Sequence, residues 1–148
     1  MAFLSTLNIS GSGMTAQRLR LDIVSDNIAN IQTTRTEDGG AYRRKMVVLE
    51  AEEPSFQQIM ESRLNGQPVN PAGDGVRAVA VVDDETELTP VYDPSHPDAD
   101  EDGYVMMPNI DLVKETADAM AASHAYQANI TAFNTTRQMA QSALEIGR

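Results

Sequence analysis

Near the start of the chain, apolar side chains return every seven residues, at Leu7, Met14, Leu21 and Ile28, with a second row at Val24 and Ile31. Gln17, Arg18, Arg20, Asp22, Ser25 and Asp26 lie between them. Steps of three and four place such residues on one stripe of a helix. A seven-residue repeat tilts that stripe toward a coiled-coil-like seam. The pattern predicts a helical segment over residues 1–32. Gly11 and Gly13 weaken its first turns, so the stretch before Met14 is expected to be mobile without a partner.

The far end, residues 109–148, follows the same grammar. Pro108-Asn109 reads as a stop followed by a helix N-cap, with Asp111 near the positive end of the helix dipole. No proline follows, so a helix of about 38 residues, about 57 Å long, is expected to pair with the first one. Its stripe runs Leu112, Ala119, Tyr126, Phe133 and Ala140, with Ile130 and Leu144 between.

The middle, residues 33–108, alternates differently. Thr33 to Ala41 is polar and reads as a loop. Tyr42 to Glu50 carries Met46, Val47, Val48 and Leu49 and favours a strand. Pro54 to Leu64 places Phe56, Ile59, Met60 and Leu64 at helical spacing. Asn65 to Gly75 is a Gly-, Pro- and Asn-rich turn. Val76 to Asp83 is the strongest strand signal. Leu88 to Tyr92 is expected to pair with it across the acidic turn at Asp83, Asp84 and Glu85. This middle has too few apolar residues for a large core of its own. The expected fold is therefore α+β: long N- and C-terminal α-helices packed as a coiled-coil-like pair, with a small β-rich middle domain.

Composition refines this picture. The 148 residues are 41% hydrophobic but only 5% aromatic, without Trp and with eight Met. Aromatic side chains dominate thick cores, so this supply suits helix seams. The outer faces of the C-terminal helix carry Gln, Asn, Thr, Ser and Ala rather than dense charge. An intramolecular hairpin and a seam shared with other chains both satisfy the periodicity; the low charge density favours the second, an assembly subunit. The formal charge of −11 argues against nucleic acid, which is bound by neutralising phosphates with Lys and Arg. It argues equally against an anionic membrane surface. Without Cys, thiolate metal sites and disulfides are excluded. The opening Met-Ala-Phe-Leu-Ser-Thr-Leu-Asn has no basic leader and is not expected to be a cleavable signal peptide. No run approaches the ~18 apolar residues of a membrane span.

Candidate chemistry is sparse. Asp98-Ala-Asp100-Glu-Asp102-Gly103 matches the opening of a calcium loop. Its twelfth position is Asn109 rather than Glu, and Pro90, Pro94 and Pro97 prevent a leading helix. The pattern reads as an acidic turn, and no metal ligand is assigned. His96 and His124 have no nucleophile or paired carboxylate at catalytic spacing. Gly11-Ser-Gly13 lacks the Lys and third Gly of a phosphate loop. No catalytic residue, cofactor or small-molecule substrate is assigned, and the chain is not expected to be an enzyme. Asn27 and Asn30 flank Ile28-Ala29 near a helix end. They serve either to terminate the helix or to hydrogen-bond a partner at a crowded interface. The expected assembly interface comprises Leu7, Met14, Leu21, Val24, Asn27, Ile28, Asn30, Ile31, Tyr126, Asn129, Ile130, Phe133 and Leu144.

Several motifs carry a resemblance. Ser25-Asp-Asn27-Ile-Ala29-Asn30-Ile-Gln-Thr33, Gly40-Ala-Tyr42-Arg43-Arg44, Ala125-Tyr126-Gln127-Ala128-Asn129 and Ala143-Leu144-Glu-Ile146 resemble the axial rod-and-hook proteins of the bacterial flagellum. The stretch Tyr92 to Val105, followed by Pro108-Asn109, looks like the proximal-rod branch of that family. Glu52 to Ala72 matches no family pattern, and Ser95 stands where the family often has Gly. The resemblance implies a non-enzymatic structural subunit of the basal-body proximal rod, in the periplasmic space. It implies export through the flagellar type III apparatus and helical assembly through the terminal helices, helping to transmit torque from motor to hook. Implied partners are copies of the chain, other rod subunits, the adaptor between rod and MS ring, and the export apparatus.

Overall fold

Two long helices bracket two separate β-ribbons. The computed structural model describes residues 2–37, 39–52, 56–64 and 75–146. In chain order the elements are α1 (Ala2–Ala29), β1 (Lys45–Ala51), α2 (Phe56–Leu64), β2 (Val76–Asp83), β3 (Thr89–Tyr92), β4 (Tyr104–Met107) and α3 (Leu112–Ile146). The class is α+β, as the periodicities predict. Pro54 and the turn expected over residues 65–74 lie outside the described residues.

Gly11 and Gly13 do not interrupt α1, which runs through both. Gly13 instead makes room for a neighbouring side chain. A Cβ there would meet the Asn129 amide at 2.9–3.1 Å. The helix ends where Asn30 turns its side chain back, donating from Nδ2 to the Asp26 carbonyl at 2.9 Å and accepting the Thr33 hydroxyl at 3.1 Å. Asn30 thus caps the end of α1 with its own side chain.

The cap of α3 is Asp111, not Asn109. Asp111 Oδ1 accepts the amides of Val113 (2.9 Å) and Lys114 (3.4 Å), satisfying donors that a helix start leaves orphaned. Asn109 is drawn away to accept the Arg44 amide at 2.9 Å and to donate to Thr86 Oγ1 at 2.6 Å. The helix therefore spans 35 residues. Among the described residues, no helix is long and apolar enough to cross a membrane.

Strand pairing departs from expectation. β2 pairs with β1, not with β3. Beyond the strand ends the Asp84 amide donates to the Arg44 carbonyl at 2.7 Å, and the Glu52 amide to the Gly75 carbonyl at 2.8 Å. β3 pairs antiparallel with β4, a segment read from sequence only as the approach to the last helix. The register sets Thr89 opposite Met107, Val91 opposite Val105 and Tyr92 opposite Tyr104. Gly103 decides this. Its φ of 77° lies in the left-handed region open to glycine, and a Cβ there would meet the Tyr92 ring at 3.0 Å. The turn aligns Tyr104 edge-on to Tyr92, with ring centroids 5.3 Å apart.

The chain divides into two compact units. The first contains Met1–Arg18, Leu49–Val79 and Ser123–Arg148; the second contains Leu19–Val48 and Ala80–Ala122. Each unit includes a segment of α1 and a segment of α3. Among the described side chains, those buried in the first unit are Ser10 and Ala16, beside Gly13. The second buries Val24, Asn27, Tyr42, Val105, Glu115 and Ala122.

Candidate assembly surface and its polar knot

The second unit is organised around a buried amide and a buried carboxylate. Asn27, near the end of α1, and Glu115, in the first turn of α3, are both 0% exposed. Asn27 Nδ2 donates to the Lys45 carbonyl at 2.9 Å and to Glu115 Oε2 at 3.1 Å. Its Oδ1 accepts the Lys45 amide at 2.9 Å and the Tyr42 hydroxyl at 3.2 Å. All four hydrogen-bonding positions of the amide are used. The side chain thus acts as one rung of a β-ladder, fastening α1 to the start of β1.

Glu115 Oε1 accepts Arg44 Nε at 2.6 Å. The same guanidinium reaches Asp118 at 3.4 Å and Asp84 at 3.6 Å. Burial opposes the charge on Arg44, but the hydrogen bond and charge of Glu115, with Asp118 and Asp84, hold it above its ordinary pKa. Burial first, then the carboxylates of Asp26, Asp83 and Glu115, push the Tyr42 hydroxyl above its usual value. Asp84 is held below the usual carboxylate range by the Thr86 amide and hydroxyl, with Arg44 contributing. This is a structural network: its polar groups satisfy one another.

The helix contact in the first unit is different in kind. Gly13 lets Asn129 approach, and Asn129 Nδ2 is held by the Ala125 carbonyl at 3.0 Å. Gln17 Oε1 is buried with no hydrogen-bond partner among the described residues. Large apolar groups lie outside the contact: Phe56 is 80%, Leu144 75% and Ile146 86% exposed.

The turn after β3 is built from its own backbone. Asp93 Oδ1 accepts the Ser95 amide at 3.0 Å and its hydroxyl at 2.6 Å, which keeps Asp93 below the usual carboxylate range. His96 Nδ1 accepts the Asp98 amide at 3.1 Å, and Asp98 Oδ2 accepts the Thr34 hydroxyl at 2.9 Å.

Two family models match the chain. One, described as flagella basal body rod protein, covers residues 7–35; the other, described as flagellar basal body rod FlgEFG protein C-terminal, covers residues 101–146. The flagellar basal-body rod protein FlgC of Bacillus subtilis is 43% identical, over 100% of both chains. That of Borreliella burgdorferi is 41% identical over 99% of this chain and 98% of its own. The chain belongs to the FlgC family of flagellar basal-body rod proteins. The FlgC of Salmonella typhimurium, 36% identical, also matches over 100% of both chains. In this FlgC-family chain the knot joins the two matched regions directly, since Asn27 lies in one and Glu115 in the other. Tyr42 and Arg44, which complete it, lie between them.

The residues expected at the assembly interface fall into three groups. Val24 and Asn27 are buried within the second unit. Leu7, Met14, Leu21, Ile28, Asn30 and Ile31 on the N-terminal side, and Tyr126, Asn129, Ile130 and Phe133 on α3, are half-buried. Leu144 is exposed. Sequence reasoning missed Glu115, in the first turn of α3. Its signal is positional: Glu115, Ala122 and Asn129 stand seven apart on one stripe. Arg44 also went unassigned, although it closes the quoted Gly40–Arg44 motif.

Proposed function

We propose that the chain is a non-enzymatic structural subunit of the proximal rod that assembles helically through its terminal helices and helps transmit torque from motor to hook. Full-length identity to FlgC relatives carries this reading. The exposed Phe56, Leu144 and Ile146 of the first unit are consistent with it, as apolar side chains open to a neighbouring chain. In this reading residues 1–32 and 109–148 form the assembling core, and residues 33–108 form the outer insert. The half-buried Leu7, Met14, Leu21, Ile28, Asn30, Ile31, Tyr126, Asn129, Ile130 and Phe133, with Leu144, meet neighbouring subunits. Val24 and Asn27 act earlier, by holding the subunit's own helices in place. The neighbours are copies of the chain, other rod subunits and the adaptor to the MS ring, reached in the periplasmic space after type III export.

The test is the double substitution Ile130→Asp with Phe133→Asp in a strain carrying only the altered chain. Motility and rod assembly should be lost while the second unit of the purified full chain keeps its exchange-protected amides. A motile strain would overturn the proposal.

A further inference from the structure

β3 and β4 form a two-stranded ribbon, so β4 has an outer edge. Antiparallel pairs alternate between hydrogen-bonded and non-bonded. The Asp93 amide donates to the Gly103 carbonyl at 3.0 Å, which makes that pair the bonded kind. Stepping along the register by two places Val91–Val105 and Thr89–Met107 in the same class. Pro90, which has no N–H, then falls opposite Met106 in the non-bonded class, the only place a proline fits this ladder. The backbone groups of Tyr104 and Met106 therefore point away from β3. The Tyr104 carbonyl is taken by the Asp100 amide at 2.9 Å. Both polar groups of Met106 and the amide of Tyr104 remain on the outer edge.

This edge borders a cleft of about 320 Å³ walled on its far side by Arg35, Gly40 and Ala41, with Asp98 and Asp100 beside the strand. No strand pairs with β4 on this side among the described residues. The edge carries neither Lys nor Pro over Tyr104–Met107, the devices that usually blunt an open strand. An open edge accepts an extended backbone, which adds as a further strand.

Charge selects the occupant. Asp98, Asp100 and Arg35 line the cleft, with Asp98 Oδ2 accepting the Thr34 hydroxyl at 2.9 Å, so carboxylates outnumber guanidinium there, and the whole chain carries −11. A second copy would bring the same excess of negative charge, whereas a basic segment meets a complementary field. We propose that the outer edge of β4 docks an extended, basic segment of a different protein, which adds as a third strand with Lys or Arg toward Asp98 and Asp100. This docking does not rest on the helical assembly proposed above.

The experiment follows backbone amide exchange by NMR in the full chain, with three peptide probes. One alternates Lys and Val over six residues, one alternates Glu and Val, and one is the Lys–Val peptide with a central Pro. The Lys–Val probe should slow exchange of the Met106 amide by about tenfold or more, as pairing closes that site to solvent. The other two should leave it unchanged. Asp100→Asn should weaken the effect. Met106→Pro should abolish protection of the neighbouring outer-edge amide of Tyr104, while the Tyr92–Tyr104 ring contact persists because the Met106 amide does not serve β3. No protection at millimolar Lys–Val peptide would overturn the proposal, as would equal protection by the acidic peptide. Protection of Met106 on concentrating the chain alone would overturn it in favour of a second copy.

Discussion

The two units use opposite means to bring α1 against α3. In the second, a buried carboxylate, a fully used amide and a guanidinium fasten α1, β1 and α3 together, and Val24, Tyr42 and Val105 are buried alongside. In the first, Gly13 lies against Asn129, Ser10 and Ala16 are buried nearby on α1, and Gln17 Oε1 has no hydrogen-bond partner among the described residues. Burying a large apolar side chain contributes roughly 1.5–3 kcal/mol, and ordering each residue costs about 1–2 kcal/mol. Half-buried Leu7, Met14, Tyr126, Ile130 and Phe133 supply only part of that contribution in the first unit. The difference teaches that fully buried, mutually satisfied polar groups hold the second unit, whereas the first relies on close approach and half-buried apolar side chains.

The largest effect should come from breaking the knot. Arg44→Ala leaves Glu115 buried and unpaired, a loss of about 3–5 kcal/mol. Thermal unfolding should register it as collapse of the second unit. Equal melting of variant and parent would break the comparison.

A smaller effect is expected in the first unit. Gly13→Ala gains about 1 kcal/mol of helix propensity but loses about 1–3 kcal/mol to overpacking against Asn129. Assembly, read as rod length or swimming speed, should fall, while monomer melting falls far less than for Arg44→Ala. Adding Asn129→Ala removes the obstruction and should restore assembly. If Gly13→Ala lowered the monomer melting temperature as much as Arg44→Ala, the two units would not differ as described.

The smallest effects follow pH. Asp84 and Asp93 titrate lower in the folded chain than the ordinary value of 3.8. Their contribution is therefore present above about pH 4 and lost as pH falls through the folded pKa. Thr86→Ala should reduce this acid sensitivity in urea titrations at pH 3 to 5 (about one unit either side of the ordinary value). Tyr42 is raised above 10.0, so its contribution is full below that pH and declines as alkaline conditions ionise it.

The helices were legible because their period is local. Leu7 to Ile28 and Ala119 to Ala140 repeat at seven whatever they pack against. Strand partners were not, because pairing is decided by turn geometry. Leu88–Tyr92 has two acidic-turn neighbours in sequence, and only the left-handed Gly103 settles which one it meets. Tyr104–Met107 is four residues of continuous apolar chain, too short to show alternation. The site was half legible. Asn27 stood out as an odd amide near a helix end, yet its partners, the Lys45 backbone, Tyr42 and Glu115, are brought to it only by the fold. Glu115 drew no reading at all, because burial of a carboxylate depends on an arginine 71 residues away.

Hydrogen exchange of the dilute monomer tests the central claim most directly. Amides of residues 20–29 and 116–122 should be protected together with β1 to β4 near the knot. Amides of residues 6–18 and 124–144 should exchange at least about tenfold faster, as separate low-stability openings, and become protected only on assembly. Uniform protection of both helices from end to end in the dilute monomer would contradict the account.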